Sequence, residues 1–211
     1  MTAIPVKTIE RLSKYRRVIN RLLEKGETYI FSHDLAHLID STPAQVRRDL
    51  MQIGHTGSPK KGYELKQLKE NINALMDDSD GQGIGLAGIG YLGRAIMNYF
   101  GGRNPKLTIK AAFDTDPDKI NRVISGCRCY HIDQIPEVVK KENITIGIVT
   151  VPSSAAQDIV NRFVRTGIKA IINWAPTPLQ TPPDVFVESR DITMSIEKAA
   201  FYAKTLNSKK K

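Results

Sequence analysis

At 211 residues, with 41% hydrophobic and 25% charged side chains, the chain has room for one large domain or two small ones and enough apolar residues for packed cores. No apolar run approaches the roughly 18–20 residues that span a bilayer, and Met1–Glu10 lacks the apolar centre of a secretory signal, so a membrane protein and a secreted one are excluded and a cytoplasmic protein is expected. The formal net charge of +9 is uneven, because residues 1–76 hold 13 Lys/Arg against 8 Asp/Glu, residues 77–203 hold 14 of each, and Lys204, Lys209, Lys210 and Lys211 crowd the end. A basic N-terminal third suits a polyanion, and equally a merely well-solvated surface.

Ile9, Leu12, Tyr15, Ile19, Leu22 and Leu23 recur at helical spacing, with Lys14, Arg16, Arg17 and Arg21 on the remaining surface and Gly26 as the stop. After the apolar run Tyr29-Ile30-Phe31, Ser32 is placed to cap a second helix that turns Leu35, Ala36, Leu38 and Ile39 inward. A turn at Asp40–Pro43 leads into a third helix with Thr42 at N-cap, Pro43 first and Gln45 third, the arrangement of a capping box. Its buried stripe is Val46, Leu50 and Ile53, with Ala44, Arg48 and Gln52 opposite and Arg47 at the flank. Two helices joined by a short turn, the second presenting Arg and Gln outward, describe a helix-turn-helix, since Arg reaches guanine edges or phosphates and Gln reaches adenine. A solvated helix face would look similar, and what favours DNA is the next loop, Gly54–Tyr63, with Lys60 and Lys61 near its tip. That is where a winged helix carries its backbone-contacting wing. Leu65, Leu68, Ile72, Leu75 and Met76 mark a linking helix, and Asp77–Gln82 is the clearest domain boundary.

Beyond it, Gly88-Ile89-Gly90-Tyr91-Leu92-Gly93 spells G-x-G-x-x-G, the turn from a strand (Ile84, Leu86) into a helix (Tyr91–Phe100). The first glycine permits the tight turn, the second a close approach to pyrophosphate, and the third close helix packing, while the helix N-terminus offers N–H groups to phosphate. On the helix, Leu92, Ile96, Tyr99 and Phe100 are expected on one side. A second strand, Thr108–Phe113, ends in Asp114, placed to accept hydrogen bonds from an adenosine ribose. The acidic turn Asp114–Lys119 has a calcium-like composition without an EF-hand's length or closing Glu. Cys127 and Cys129 form a lone C-x-C, read as packing rather than a metal or redox pair.

A helix follows at Ile135–Lys141, then a doubly buried strand at Ile144–Val151 and a helix at Ala155–Arg165 started by Pro152-Ser153-Ser154. Ile168–Trp174 makes another buried strand, Val185–Glu188 a last one, and Ile192–Leu206 a final helix. The rigid loop Ala175-Pro176-Thr177-Pro178 follows the strand that ends at Trp174, and such carboxyl-end loops are where ligands sit in open α/β sheets. A dehydrogenase needs a proton donor beside the nicotinamide. Only His131 of the four histidines follows the glycine turn, and it is expected away from the ligand loops. No catalytic residue and no metal ligand set emerges.

The ordered set Gln45-Val46-Arg47-Arg48-Asp49-Leu50, Gly88–Gly93, Phe113-Asp114-Thr115-Asp116-Pro117, Val151–Gln157, Gly167–Pro176 and Asp191-Ile192-Thr193 resembles the bacterial family of redox-sensing transcriptional repressors called Rex. The resemblance covers nearly the whole chain. It implies an α/β protein with an N-terminal winged helix-turn-helix in residues 1–78, a Rossmann-type parallel-sheet domain in 83–190 and a C-terminal helix, swapped onto a partner, in 191–211. It further implies a homodimer that holds double-stranded operator DNA when NADH is scarce and leaves when NADH binds, with NAD+ as the competing ligand. DNA contacts then fall to Ala44, Gln45, Arg47, Arg48, Lys60 and Lys61. The dinucleotide falls to Gly88, Gly90, Tyr91, Leu92, Gly93, Asp114, Thr150, Val151, Pro152 and Asn173, together with Tyr99 and Asp191. Arg17, Tyr99 and Asp191 match positions that couple nicotinamide redox state to the hinge, with Arg16 the competing choice for the arginine. The wing departs from the family's Gly-x-Arg-Gly-x-Gly-Tyr, reading Gly57-Ser58-Pro59-Lys60-Lys61-Gly62-Tyr63, and Ile192 stands where some relatives carry an aromatic. Rival readings are an NAD(H)-linked oxidoreductase and a coenzyme A-binding Rossmann domain.

Overall fold

The computed structural model describes residues 4–101 and 104–208, so the expected basic tail Lys209, Lys210 and Lys211 lies outside the described residues. The chain divides into two compact units between Asp78 and Ser79.

The first unit comprises α1 (Val6–Glu24), β1 (Tyr29–Ile30), α2 (Ser32–Leu38), α3 (Pro43–Gln52), β2 (Tyr63–Glu64) and α4 (Leu65–Met76). Leu12, Tyr15 and Ile19 of α1, Leu35 of α2, Val46 and Leu50 of α3, and Leu65, Leu68 and Ile72 of α4 form one buried cluster. Each fully buried Leu or Ile contributes about 1.5–3 kcal/mol against leaving it in water. The strands β1 and β2 pair antiparallel, Tyr29 with Glu64 and Ile30 with Tyr63, and bracket α2, α3 and the wing loop between them.

Three local expectations need correction. Ser32 does not cap α2: Phe31 stands at the N-cap position with no side-chain cap bond, and the Ser32 hydroxyl instead accepts from Arg47 Nη1 at 3.1 Å. Leu38 is half exposed, because at about 100° per residue it falls beyond the Leu35–Ala36–Ile39 stripe. At α3, Thr42 accepts from the Gln45 backbone N–H at 3.2 Å, but the returning half of the capping box is absent. The Gln45 amide reaches Asp49 instead, at 2.9 Å.

The second unit runs β3 (Gln82–Ala87), α5 (Tyr91–Phe100), β4 (Leu107–Asp114), β5 (Val123–Ile124), β6 (Cys127–His131), α6 (Ile135–Lys141), β7 (Ile144–Val149), α7 (Ser153–Arg165), β8 (Ala170–Asn173), β9 (Phe186–Ser189) and α8 (Ile192–Ser208). Its sheet has the order β5-β6-β4-β3-β7-β8-β9, parallel throughout except where β5 meets β6. Numbering the six parallel strands in chain order gives 3-2-1-4-5-6, the dinucleotide-binding order, whose direction reverses between β3 and β7. That reversal opens a crevice at the carboxyl ends of β3 and β7. One face of the sheet packs Phe113, Val149, Ile159 and Phe163; the other packs Leu86, Ile89, Met97 and Cys129.

The strands β5 and β6 had no expectation, being short and split by Ser125-Gly126. Their presence moves His131 from its expected remote position, since β6 pairs with β4 so that His131 stands beside Asp114 at the carboxyl edge. On α5 it is Gly93 and Met97 that are buried, while Tyr99 is 66% exposed rather than packed with Ile96 and Phe100. Cys127 and Cys129 are free and buried, and burial pushes both thiols up to about 11, as expected of unreactive packing residues. Along α8, Ile192, Met194, Ile196, Phe201, Tyr202 and Leu206 are all exposed. No described helix is long and apolar enough to cross a membrane.

Candidate functional site

The glycine turn is built by a close backbone approach. Gly88 leaves β3 at φ +96°, a left-handed conformation that strains any residue with a Cβ. Its N–H donates to Phe113 O at 2.8 Å and its carbonyl accepts from the Thr150 hydroxyl at 2.7 Å. The same hydroxyl lies 2.9 Å from Ala87 O, so the end of β7 is clasped to the turn. Gly93, on the first turn of α5, sits so close that a Cβ there would lie 2.1 Å from Gly88 O. Gly90 precedes α5 with no side-chain cap and open space where a Cβ would project. The uncapped first-turn N–H groups and the positive end of the helix dipole therefore face a space fit for a phosphate.

These elements border an open cleft of about 520 Å³. Of the expected cofactor residues, Gly88, Gly90, Leu92, Asp114, Thr150, Val151 and Pro152 line it. Tyr91 is almost wholly exposed at the start of α5, and Gly93 is buried behind the turn. Asn173 is buried and braces the following loop, accepting from Ala175 N–H at 2.9 Å and donating to Thr177 O at 3.0 Å. Tyr99 and Asp191 do not line the cleft. Asp191 caps α8 through Met194 N–H at 3.0 Å, a role that the residue before a long apolar helix could have announced. Lys119, Ile132 and Trp174 line the cleft without having been expected. Trp174 follows β8 directly and carried the same carboxyl-end signal as Asn173.

The Asp114 carboxylate is fully engaged. Oδ2 accepts from Ile89 N–H at 2.7 Å and from Lys119 Nζ at 3.2 Å, while Oδ1 accepts from the N–H groups of Thr115 at 2.9 Å and Asp116 at 3.0 Å. Burial works against its charge, but the Asp116 and Ile89 N–H groups and the Lys119 ammonium outweigh it and hold the carboxyl below the usual carboxylate range. Lys119 also pairs with Asp116 at 3.2 Å.

In the first unit, α3 presents Ala44, Arg47, Arg48, Met51 and Gln52 around a shallow concavity, with Arg47 and Arg48 exposed. The helix is anchored from behind by Asp49, which is fully buried. Arg11 donates to it from Nε at 2.5 Å and Nη2 at 2.7 Å, Tyr15 OH at 2.9 Å and Gln45 Nε2 at 2.9 Å. Burial opposes the Asp49 charge, yet these donors keep the carboxyl below its ordinary range. Gln45 is thus drawn partly inward, unlike Ala44 and Arg48. Lys60 and Lys61 are exposed in a turn closed by the Ser58–Gly62 bridge, whose two hydrogen bonds are both 2.7 Å. Arg16 is engaged with Asp77 at 2.6 Å, which leaves Arg17 the exposed arginine of the pair.

Among known proteins, residues 80–177 match the family described as CoA binding domain and residues 3–50 the family described as putative DNA-binding protein N-terminus. The chain is 38% identical over 198 residues to the redox-sensing transcriptional repressor Rex of Carboxydothermus hydrogenoformans, covering 94% of this chain and 95% of that one. It is 37% identical to the Rex of Desulfitobacterium hafniense, with 94% of each chain covered. Among solved structures it is similar to RSP, a Rex-family repressor, in complex with β-NAD+ and operator DNA, with a TM-score of 0.90 at 28% identity over 100% of this chain and 97% of that one. The same repressor in complex with β-NADH gives 0.84 at 28% identity, with 100% of both chains covered.

Proposed function

The chain belongs to the Rex family of redox-sensing transcriptional repressors, and from that premise we propose that it holds operator DNA through residues 1–78 and releases it when NADH occupies the cleft in residues 83–190. The observation that carries this reading is the joining, in one chain, of a glycine cradle at the sheet's reversal point to a helix-turn-helix with exposed Arg47 and Arg48. As a member of a repressor family the chain is a regulator and not an oxidoreductase, and it works in the cytoplasm where its DNA and its dinucleotide pool meet. Gly88, Gly90, Gly93, Thr150, Val151 and Asp114 hold what NADH and NAD+ share. Arg48 and Arg47 read base edges and phosphates, and Lys60 and Lys61 contact the backbone. The match to the CoA binding domain covers only residues 80–177 and leaves the basic head without a role.

The test is a titration of a complex of the full chain with a promoter fragment. NADH is expected to dissociate it and NAD+ to leave it intact; no retention on duplex DNA, or equal release by both nucleotides, would overturn the reading.

Discrimination between the two nucleotides must come from a group near the nicotinamide, since a ligand shifts an equilibrium only through differential affinity. We assign that role to Asp191, although it caps α8 outside the cleft lining of its own chain, and assign to Arg17 and Tyr99 the coupling of its state to DNA. Because Asp191 also caps α8, the informative variant is Asp191→Asn, which keeps the capping oxygen and removes the charge. The ratio of NADH to NAD+ affinity is expected to narrow by about fivefold or more, with operator binding by the ligand-free protein retained. An unchanged ratio places the sensing group elsewhere.

The exposed apolar side of α8 supports a homodimer in which this helix is covered by, and exchanged with, a second copy. A two-fold DNA reader also needs two recognition helices about one helical turn apart. Sedimentation at micromolar concentration is expected to give a dimer, and a monomer there refutes it.

A further inference from the structure

Met51 is a large apolar side chain on the solvent side of α3. It is 67% exposed, whereas Val46 and Leu50 on the other side of the helix are completely buried. Ala44, Arg48 and Met51 are spaced i, i+4, i+7 and form one stripe, flanked by Arg47 and Gln52, around the same shallow concavity. For a helix face made only for solvent, Lys, Arg or Gln would serve helix formation as well as a methionine and stay hydrated. A protein partner with an apolar surface would have to bury two guanidinium groups beside it.

The occupant that suits both the charges and the thioether is the major groove of duplex DNA, where phosphates and guanine edges accept from arginine. Each thymine there offers one apolar group, its C5-methyl. Resting on the DNA-binding reading above, we propose that Met51, with Ala44, is a specificity-determining contact that selects thymine by its methyl group. Met51 stands three positions after Arg48, roughly 4.5 Å along the helix, or one to two base steps at about 3.4 Å each. The selected thymine therefore neighbours, within two base pairs, the base that Arg48 reads. Methionine fits this task because its unbranched, polarisable chain adapts to a methyl in a groove whose width varies.

The experiment starts by selecting duplexes from a random-sequence pool with the full-length protein. Each thymine of the selected half-site is then replaced in turn by deoxyuridine, which removes the C5-methyl and nothing else. At one thymine near the base read by Arg48, the wild-type protein is expected to lose about fourfold in affinity, the worth of one methyl-sized group. Met51→Ala is expected to be insensitive to the methyl at that position only, and Met51→Leu, still apolar, to keep the sensitivity. The proposal is overturned if no thymine responds in the wild type, or if Met51→Ala responds as strongly. Selection of no sequence at all would instead bring down the repressor reading, and this inference with it.

Discussion

Asp49→Ala lowers the stability of the N-terminal unit by about 3 kcal/mol, the usual cost of removing one partner of a buried, hydrogen-bonded ion pair. The carboxylate is the shared acceptor for Arg11, Tyr15 and Gln45, so its loss leaves a guanidinium, a phenol and an amide without their acceptor behind α3. Asp49→Asn offers no relief. Every neighbour is a donor, and the amide would turn an N–H₂ group toward at least one of them. Both variants are expected to melt well below the wild type in a calorimetric scan of the full chain and to lose operator binding at temperatures the parent tolerates, although Asp49 is not itself assigned to DNA and touches that surface only through Gln45. The contribution also depends on pH. With the folded-state pKa held below its ordinary value, the stabilisation is fully present above the unfolded-state pKa of about 3.9 and disappears as pH falls through the folded pKa. A melting temperature within two or three degrees of wild type at neutral pH would show that the cluster is dispensable.

Gly93→Ala is expected to weaken NADH binding by about 100-fold, on the scale of an ångström-sized misplacement in a site that depends on geometry. The added Cβ would lie 2.1 Å from Gly88 O and 3.1 Å from Thr150 Oγ1, and the first of these is backbone that cannot rotate away. The start of α5 must then move off the turn, carrying the phosphate-facing N–H groups with it. Binding is read from the fluorescence of added NADH. The variant should still be retained on operator DNA and should no longer be released by NADH at concentrations that free the parent. An affinity within about threefold of wild type would falsify the account of the cradle. Gly90→Ala makes a useful contrast, since its Cβ meets no protein atom: folding is preserved and only the ligand's space is taken.

The large elements were legible because their patterns repeat. The i, i+3, i+7 spacing of Leu12, Tyr15 and Ile19, and the continuous apolar run of β7, leave little choice of structure. The glycine turn was legible because three glycines at fixed spacing meet three separate steric demands. What could not be read depends on contacts between distant parts of the chain. Nothing near Asp49 in sequence announces Arg11 and Tyr15, which stand 38 and 34 residues away. The strands β5 and β6 were invisible because they are short and gain their stability from pairing, β6 with β4 and β5 with β6, rather than from their own pattern. Helical spacing groups Tyr99 with Leu92, Ile96 and Phe100 on one side of α5, whereas the helix turns its two small or unbranched residues, Gly93 and Met97, toward the sheet.

The saturated carboxylate of Asp114 bears on how fast this protein can follow a changing pool. In the site proposed for the dinucleotide, three of its four hydrogen bonds come from backbone and one from Lys119. A ribose hydroxyl bound at Asp114 would therefore join it by substitution, taking the place of an ammonium that can fall back on Asp116. One favourable contact is exchanged for another, and the adenosine end adds only the difference between them. A contact that adds only a difference does little to slow the ligand's departure. For a device that must report a ratio rather than a presence, rapid exchange keeps occupancy in step with supply, and the memory of an earlier metabolic state stays short.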